Sequence, residues 1–239
     1  MNALLAWLAP LVALVLPPHC VACSVPSDER SPLCPRCAET LEVIGRHCLR
    51  CGLPIPGARD GPPVTCVACV RAPPAWDAAR APVVFGGAIA IAVRRWKLCA
   101  QPELGPTLAR LMTPLLDELA PAIDVLVPVP LHPRRLRERE FNQASQLARA
   151  ARHRGHPPVI DALVRVVDTP PQSTLDATAR RRNVRGAFAV EKWAELEGAR
   201  VLLIDDVLTS GATASECART LRRAGAARVD VLTLARTLP

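Results

Sequence analysis

The stretch Val201-Leu-Leu-Ile-Asp-Asp-Val-Leu-Thr-Ser-Gly-Ala-Thr213 decides how the rest of the chain is read. Its four leading apolar residues predict a strand buried on both faces, as in the interior of a parallel sheet. Asp205 and Asp206 fall where that strand emerges at its carboxyl end, the edge along which open α/β sheets bind ligands. Thr209, Ser210, Gly211, Ala212 and Thr213 then lead into a helix predicted over about residues 212–224. Small residues at a helix start expose backbone N–H groups. The helix dipole and the three hydroxyls add to them, and Gly211 permits close approach, so the run suits a monoester phosphate. The Gly-Lys-Ser/Thr of an ATP-type loop is missing. Vicinal aspartates would repel a bare polyanion. They suit a ligand that presents a sugar between phosphates, accepting hydrogen bonds from ribose hydroxyls or acting through Mg²⁺.

Outward from this stretch, residues 75–239 alternate strand-like and helix-like segments, the pattern of an α/β domain with a largely parallel sheet. Further strands are predicted at residues 123–129 and 229–234 and a helix at residues 142–152. Leu104, Leu108, Leu111, Leu115 and Leu119 recur at helical spacing, with a kink expected at Pro114. Residues 19–74 read differently: they are dense in Cys, Pro and Gly and cannot build a core from apolar burial alone. Eight of the ten cysteines form C-x-x-C pairs there: Cys20/Cys23, Cys34/Cys37, Cys48/Cys51 and Cys66/Cys69. Two residues between thiolates is the spacing of a tight turn offering both to one tetrahedral ion, so a double zinc ribbon holding two structural Zn²⁺ is expected. Pairing in sequence order is the natural division, and an interleaved pairing fits the spacing as well. His19 and His47, each preceding a cysteine, are read as neighbours of the sites. Cys99 and Cys217 are read as buried thiols.

The 239 residues are half hydrophobic, which excludes global disorder, and carry a formal net charge of +8. Apart from Lys97 and Lys192 the basic residues are all arginine, an excess that favours anionic partners without naming one. Residues 1–18 form an apolar segment interrupted by Pro10. It is too short for a stable membrane span and lacks preceding basic residues, so a helix or helical pair lying on the rest of the protein is expected, with membrane-surface contact as the alternative. Paired thiolates for metal imply a reducing, cytoplasmic setting and argue against a secreted disulfide protein.

Residues 205–213 resemble the phosphoribosyl pyrophosphate signature of type I phosphoribosyltransferases. The cysteine pairs, Val127-Pro-Val-Pro-Leu131 leading to Arg139-Glu-Phe-Asn-Gln143, and Arg182-Asn-Val-Arg-Gly-Ala-Phe188 resemble the ComF family of DNA-uptake proteins. The likeness runs from about residue 17 to residue 236. It implies a flavodoxin-like parallel sheet with a hood, a ribose role for Asp205 and Asp206, and a 5′-phosphate role for residues 209–213. It also implies a pyrophosphate loop at residues 129–135, with Val129, Pro130, Leu131, Arg134 and Arg135 as contacts and Lys97 as a phosphate ligand. Catalysis would be displacement at the anomeric carbon, with Mg²⁺ and arginines stabilising the departing pyrophosphate. The acceptor is not identified.

Two departures from the family pattern carry expectations. Glu140 stands where the family has glycine, which predicts a remodelled loop. Trp96 precedes Lys97, where the family places an aromatic after the lysine; flanked by Arg94 and Arg95, Trp96 is the one place where a base-stacking surface is conceivable. Residues 173–182 have the polar, arginine-rich character of a lid. The competing reading is a non-catalytic ligand sensor or scaffold whose ribbons and arginines engage single-stranded DNA or a DNA-translocating competence helicase.

Overall fold

In the computed structural model, which describes residues 19–27, 31–57, 62–99, 101–168 and 183–239, the apolar run at 201–204 is the middle of a longer strand. The strands are β1 (Ala78–Arg80), β2 (Val83–Val84), β3 (Val125–Pro128), β4 (Leu163–Arg165), β5 (Phe188–Val190), β6 (Arg200–Leu208) and β7 (Arg228–Arg236). The main sheet is parallel throughout, in the order β1-β7-β6-β3, with β2 also on β7. β1 and β2 are one edge strand interrupted at Ala81 and Pro82, where proline lacks the N–H a ladder needs. Beyond β3, Val159 makes a parallel bridge to Leu126. Counted from β3, the chain therefore crosses the sheet in the flavodoxin-like order second, first, third, fourth, and its direction of winding reverses between β3 and β6.

The helices are α1 (Pro35–Ala38), α2 (Val67–Arg71), α3 (Gly87–Leu98), α4 (Leu104–Ala109), α5 (Thr113–Leu119), α6 (Pro133–Arg139), α7 (Gln143–Ala151) and α8 (Ala212–Arg223). The leucine series is two helices and not one kinked helix. Pro114 sits in the first turn of α5, where its missing N–H removes no hydrogen bond. Alternation along β6 builds the core: Leu202 and Ile204 pack with Ile89, Trp96, Leu108 and Leu147 on one face, Val201 and Leu203 with Cys217 and Leu221 on the other. Each fully buried side chain of this kind contributes roughly 1.5–3 kcal/mol.

β6 extends through both aspartates to Leu208 because β7 continues beside it, pairing Asp205 with Thr233 and Leu208 with Arg236. The carboxylates thus stand within the last turns of the ladder, held by backbone hydrogen bonds. At the other edge the cysteine-rich module covers β2: the Ile44 amide donates to Pro82 and the Val84 amide to Glu42. That pairing blunts an edge that would otherwise be open.

Glu140 takes the backbone conformation that glycine adopts most easily. It ends α6 in the left-handed conformation, with φ at 65°, and its amide donates to Leu136 as a helix-capping glycine would. A charged residue here bears the strain of the left-handed cap. Glu140→Gly is expected to raise stability by roughly 0.5–1 kcal/mol, the relief of left-handed strain less the added entropy of glycine in the unfolded chain. A denaturant melt showing a lower midpoint for Glu140→Gly would contradict this.

Among the described residues no helix is long and apolar enough to cross a membrane. The apolar segment at residues 1–18 and the lid-like residues 173–182 lie outside the described residues.

Candidate functional site

A cleft of about 360 Å³ opens between the carboxyl ends of β3 and β6, at the reversal of winding. One wall is the end of β6 and the turn into α8. Asp205 accepts a hydrogen bond from the Asp206 amide at 2.8 Å, and Asp206 pairs with the Lys97 ammonium of α3 at 2.6 Å. Burial, reinforced by the like charge of Asp206, pushes the Asp205 carboxyl up to about 7, although Lys97 and Arg165 pull the other way. Gly211 begins α8 with φ at 72°, and a Cβ there would lie 2.4 Å from the Trp76 ring, so no other residue fits. Thr209, Gly211, Ala212 and Thr213 line the cleft. Ser210 does not; its hydroxyl is buried with no partner among the described residues.

The facing wall is residues 129–131 and the start of α7. Asn142 builds it twice over: its carbonyl caps the Ala144 and Ser145 amides, and its amide donates to Val129 at 3.1 Å. Val129, Pro130, Leu131 and Arg135 line the cleft as the sequence predicts, but Arg134 does not. Its guanidinium is exposed and paired with Glu138 and Asp168. Several lining residues were not assigned to the site from sequence, among them Arg139, Gln143 and Arg165. Arg139 and Gln143 lie in the quoted Arg-Glu-Phe-Asn-Gln motif; the Gln143 side chain accepts from Arg139, and its buried amide nitrogen has no partner among the described residues. Arg165 comes from the β4–β5 hairpin and lies 5.5 Å from the centre of the Phe188 ring. Burial, and then the charge of Arg135, lowers its pKa. An arginine inside the apolar run Ala-Leu-Val-Arg-Val-Val was the available signal. Lys97, Arg135, Arg139 and Arg165 against Asp205 and Asp206 leave the cleft net positive, suited to a ligand with more than one anionic group.

Two expectations fail on burial. Trp96 is fully buried and its indole donates to Gln146, so it offers no face to a base; an amphipathic helix buries every third or fourth residue whatever charges flank it. Cys99, just past the end of α3, is exposed, whereas Cys217 is buried.

The cysteines gather into two groups in sequence order, Cys20/Cys23/Cys34/Cys37 and Cys48/Cys51/Cys66/Cys69, which removes the interleaved alternative. Neighbouring sulfurs stand 3.7 Å apart for Cys23 and Cys34 and 3.8 Å for Cys51 and Cys66. A tetrahedron with a Zn–S bond of about 2.3 Å has edges of about 3.8 Å, far longer than a disulfide. Burial pushes the Cys20 thiol up, but the amides of Cys34, Cys23 and Ala22 outweigh it and bring it down to about 6. Cys48 is likewise brought down to about 7 by backbone donors that outweigh its burial. Both sites fit structural zinc. His19 and His47 belong to neither group. A third cluster, Asp117 with His153 and His156, is satisfied without an ion. Asp117 sits 2.7 Å and 2.9 Å from the two Nε2 atoms, and His156 Nδ1 accepts from the His153 amide.

A double zinc ribbon domain model matches residues 11–70 and a phosphoribosyl transferase domain model matches residues 151–238. The chain is 32% identical over 235 residues to DNA utilization protein YhgH of Salmonella typhi, covering 94% of this chain and 100% of that one. It is 31% identical over 216 residues to competence protein F of Haemophilus influenzae, 86% of this chain and 85% of that one. The chain belongs to the ComF family. Among solved structures, a purine phosphoribosyltransferase from Pyrococcus horikoshii aligns at a TM-score of 0.34 and 18% identity, covering 54% of this chain and 73% of that one.

The ComF motif before the acidic signature has a structural reason at its glycine. Gly186 adopts φ of 68° and its amide donates at 2.8 Å to Glu216 on α8. Burial raises the Glu216 pKa, but the Gly186 amide and Arg219 outweigh it, so the carboxyl is held below the usual range. Val184, Ala187 and Phe188 pack beneath. The hairpin that carries Arg165 into the cleft is thereby fixed to the helix whose N-terminus faces the same space.

Proposed function

We propose that this ComF-family cleft binds phosphoribosyl pyrophosphate or a related ribose phosphate, and that the chain serves natural competence and DNA uptake. The observation that carries the reading is the meeting, at one switch point, of two carboxylates and a glycine-opened helix start. Asp205 and Asp206 accept the ribose hydroxyls, and the amides at the turn into α8 with the hydroxyls of Thr209 and Thr213 take the 5′-phosphate. Residues 129–131 with Arg135 and Arg139 face the diphosphate. Oxygen donors at Asp205 and Asp206 suit Mg²⁺, and a carboxyl raised to about 7 by burial and then by a like charge is a place where added positive charge is favoured. When bound with the ligand, Mg²⁺ would supply charge neutralisation for the diphosphate. Lys97, now on Asp206, lies within reach of the same anion.

The competence role rests on the names of the relatives, competence protein F and DNA utilization protein YhgH. Any contact with single-stranded DNA or a helicase would be made through arginines such as the exposed Arg137, without Trp96 stacking, and would weaken steeply with salt. Pyrophosphate release with Mg²⁺ and a panel of nucleobases and amines tests the enzyme reading. Turnover that vanishes in Asp205→Asn/Asp206→Asn supports a transferase. Saturable binding without turnover on any acceptor supports the ligand-sensing module.

A further inference from the structure

The second cysteine knuckle does more than close on a metal. Three consecutive residues of it, Arg50, Cys51 and Gly52, each touch the segments that shape the phosphate-facing turn. The Arg50 carbonyl accepts the Trp76 indole N–H at 2.7 Å, and the Arg50 guanidinium donates back to the Trp76 carbonyl at 3.3 Å. That indole is the surface on which Gly211 rests. The Cys51 carbonyl accepts from Arg236 Nε at 3.1 Å, while Arg236 Nη1 donates to Leu208 and Thr209 at 2.8 and 2.7 Å. Gly52, at φ of 67°, lets the knuckle close onto β1, where a Cβ would lie 2.9 Å from the Ala79 carbonyl. One guanidinium therefore spans a metal-ligand carbonyl and the two carbonyls at the mouth of the turn, and one indole spans the next carbonyl and the glycine at its apex. Because folding of such a module is coupled to metal binding, loss of the ion would release the C-x-x-C turn and with it the directions of these carbonyls.

We propose that the second tetracysteine site is the foundation of the phosphate-facing turn, with Trp76 and Arg236 as positioning residues, so that metal occupancy at Cys48, Cys51, Cys66 and Cys69 governs binding in the cleft. This rests on the ribose-phosphate reading for its ligand, but its structural half does not. Neither positioning residue touches the ligand; both set the geometry of residues 208–211. The first knuckle has no such link among the hydrogen bonds of the described residues; its carbonyls at Val21 and Ala22 tie instead to Arg95 on α3.

The test is amide hydrogen exchange of the full, zinc-loaded chain, read on the peptide covering residues 209–213, together with calorimetric binding of ribose 5-phosphate. Arg236→Met and Cys66→Ser are each expected to speed exchange there about tenfold or more and to weaken binding by a similar factor, the energetic share of two or three carbonyl ties. Arg236→Lys, which keeps a donor for Leu208 and Thr209, is expected to recover part of the protection. Trp76→Phe removes both the N–H given to Arg50 and the outer ring edge that meets Gly211, so faster exchange is expected there even if Cys66→Ser fails to fold. Arg200→Met, at the far end of β6, should leave residues 209–213 unchanged. Unaltered exchange there in folded Arg236→Met and Trp76→Phe would overturn the proposal. Altered exchange in a chain that takes up no ribose 5-phosphate would instead sustain the coupling and remove the ligand assignment.

Discussion

Asp205→Asn is expected to make the protein more stable and to abolish binding of ribose phosphates, two effects of opposite sign from one atom. The Asp205 carboxyl is raised from its ordinary value of 3.8 to about 7 in the fold by burial and by Asp206. Below about pH 4 it is neutral in both folded and unfolded chains and contributes nothing. Between about 4 and 7 the folded state binds the extra proton, so stability falls as pH rises, and above 7 the full penalty stands. A three-unit shift corresponds to at most about 4 kcal/mol; partial solvent contact reduces the expected gain to about 1–2 kcal/mol at pH 8. Asparagine keeps the oxygen that accepts the Asp206 amide, so the local backbone is retained. Affinity for phosphoribosyl pyrophosphate should fall a hundredfold or more, because an amide cannot replace a charged acceptor toward ribose hydroxyls and Mg²⁺. Melts of wild type and Asp205→Asn at pH 4 and pH 8 check the sign. A destabilised variant at pH 8 would mean that Asp205 is a structural carboxylate.

The other large effect is metal removal. Stripping zinc with a strong chelator is expected to release two equivalents per chain and leave residues 19–71 unfolded and open to protease. Apart from cysteines, Val21, Ala22 and Leu33 are the buried apolar residues among the described residues of that module. So few buried apolar side chains cannot hold the module folded by themselves. Binding of structural zinc, with an apparent free energy of about 10–16 kcal/mol per site, is the folding free energy of such a module. Resistance of residues 19–71 to protease after complete zinc loss, or oxidised cysteines in the native chain, would refute the metal account.

What could be read from the sequence follows from which residues carry local signals. The β6 run, its carboxylates and the following small residues are consecutive, so strand, site and helix start were legible together. The eight paired cysteines were equally plain, although only the gathered sulfurs show which pairs share an ion. β1 and β2 were not visible, because Ala-Ala-Arg and Val-Val on either side of Pro82 are too short to give a period. Arg165 joins the cleft through a hairpin whose β4 and β5 lie more than twenty residues apart in sequence, a closure that periodicity does not encode. The left-handed cap at Glu140 was hidden for an opposite reason: glycine is the easiest residue for that conformation, not the only one, and the capping bond to Leu136 holds the charged residue in place. Trp96 was misjudged because flanking charge says nothing about which face of a helix a residue occupies. The ties from Arg236 and Trp76 to the zinc knuckle join residues far apart in the chain, and nothing in their local sequence announces them.

Calorimetric titration of phosphoribosyl pyrophosphate with Mg²⁺ into folded, zinc-replete protein addresses the central claim most directly. Saturable uptake of one ligand per chain, lost in Asp205→Asn/Asp206→Asn while both zinc ions stay bound, is the predicted result. No measurable uptake of phosphoribosyl pyrophosphate or ribose 5-phosphate by the intact chain would contradict it.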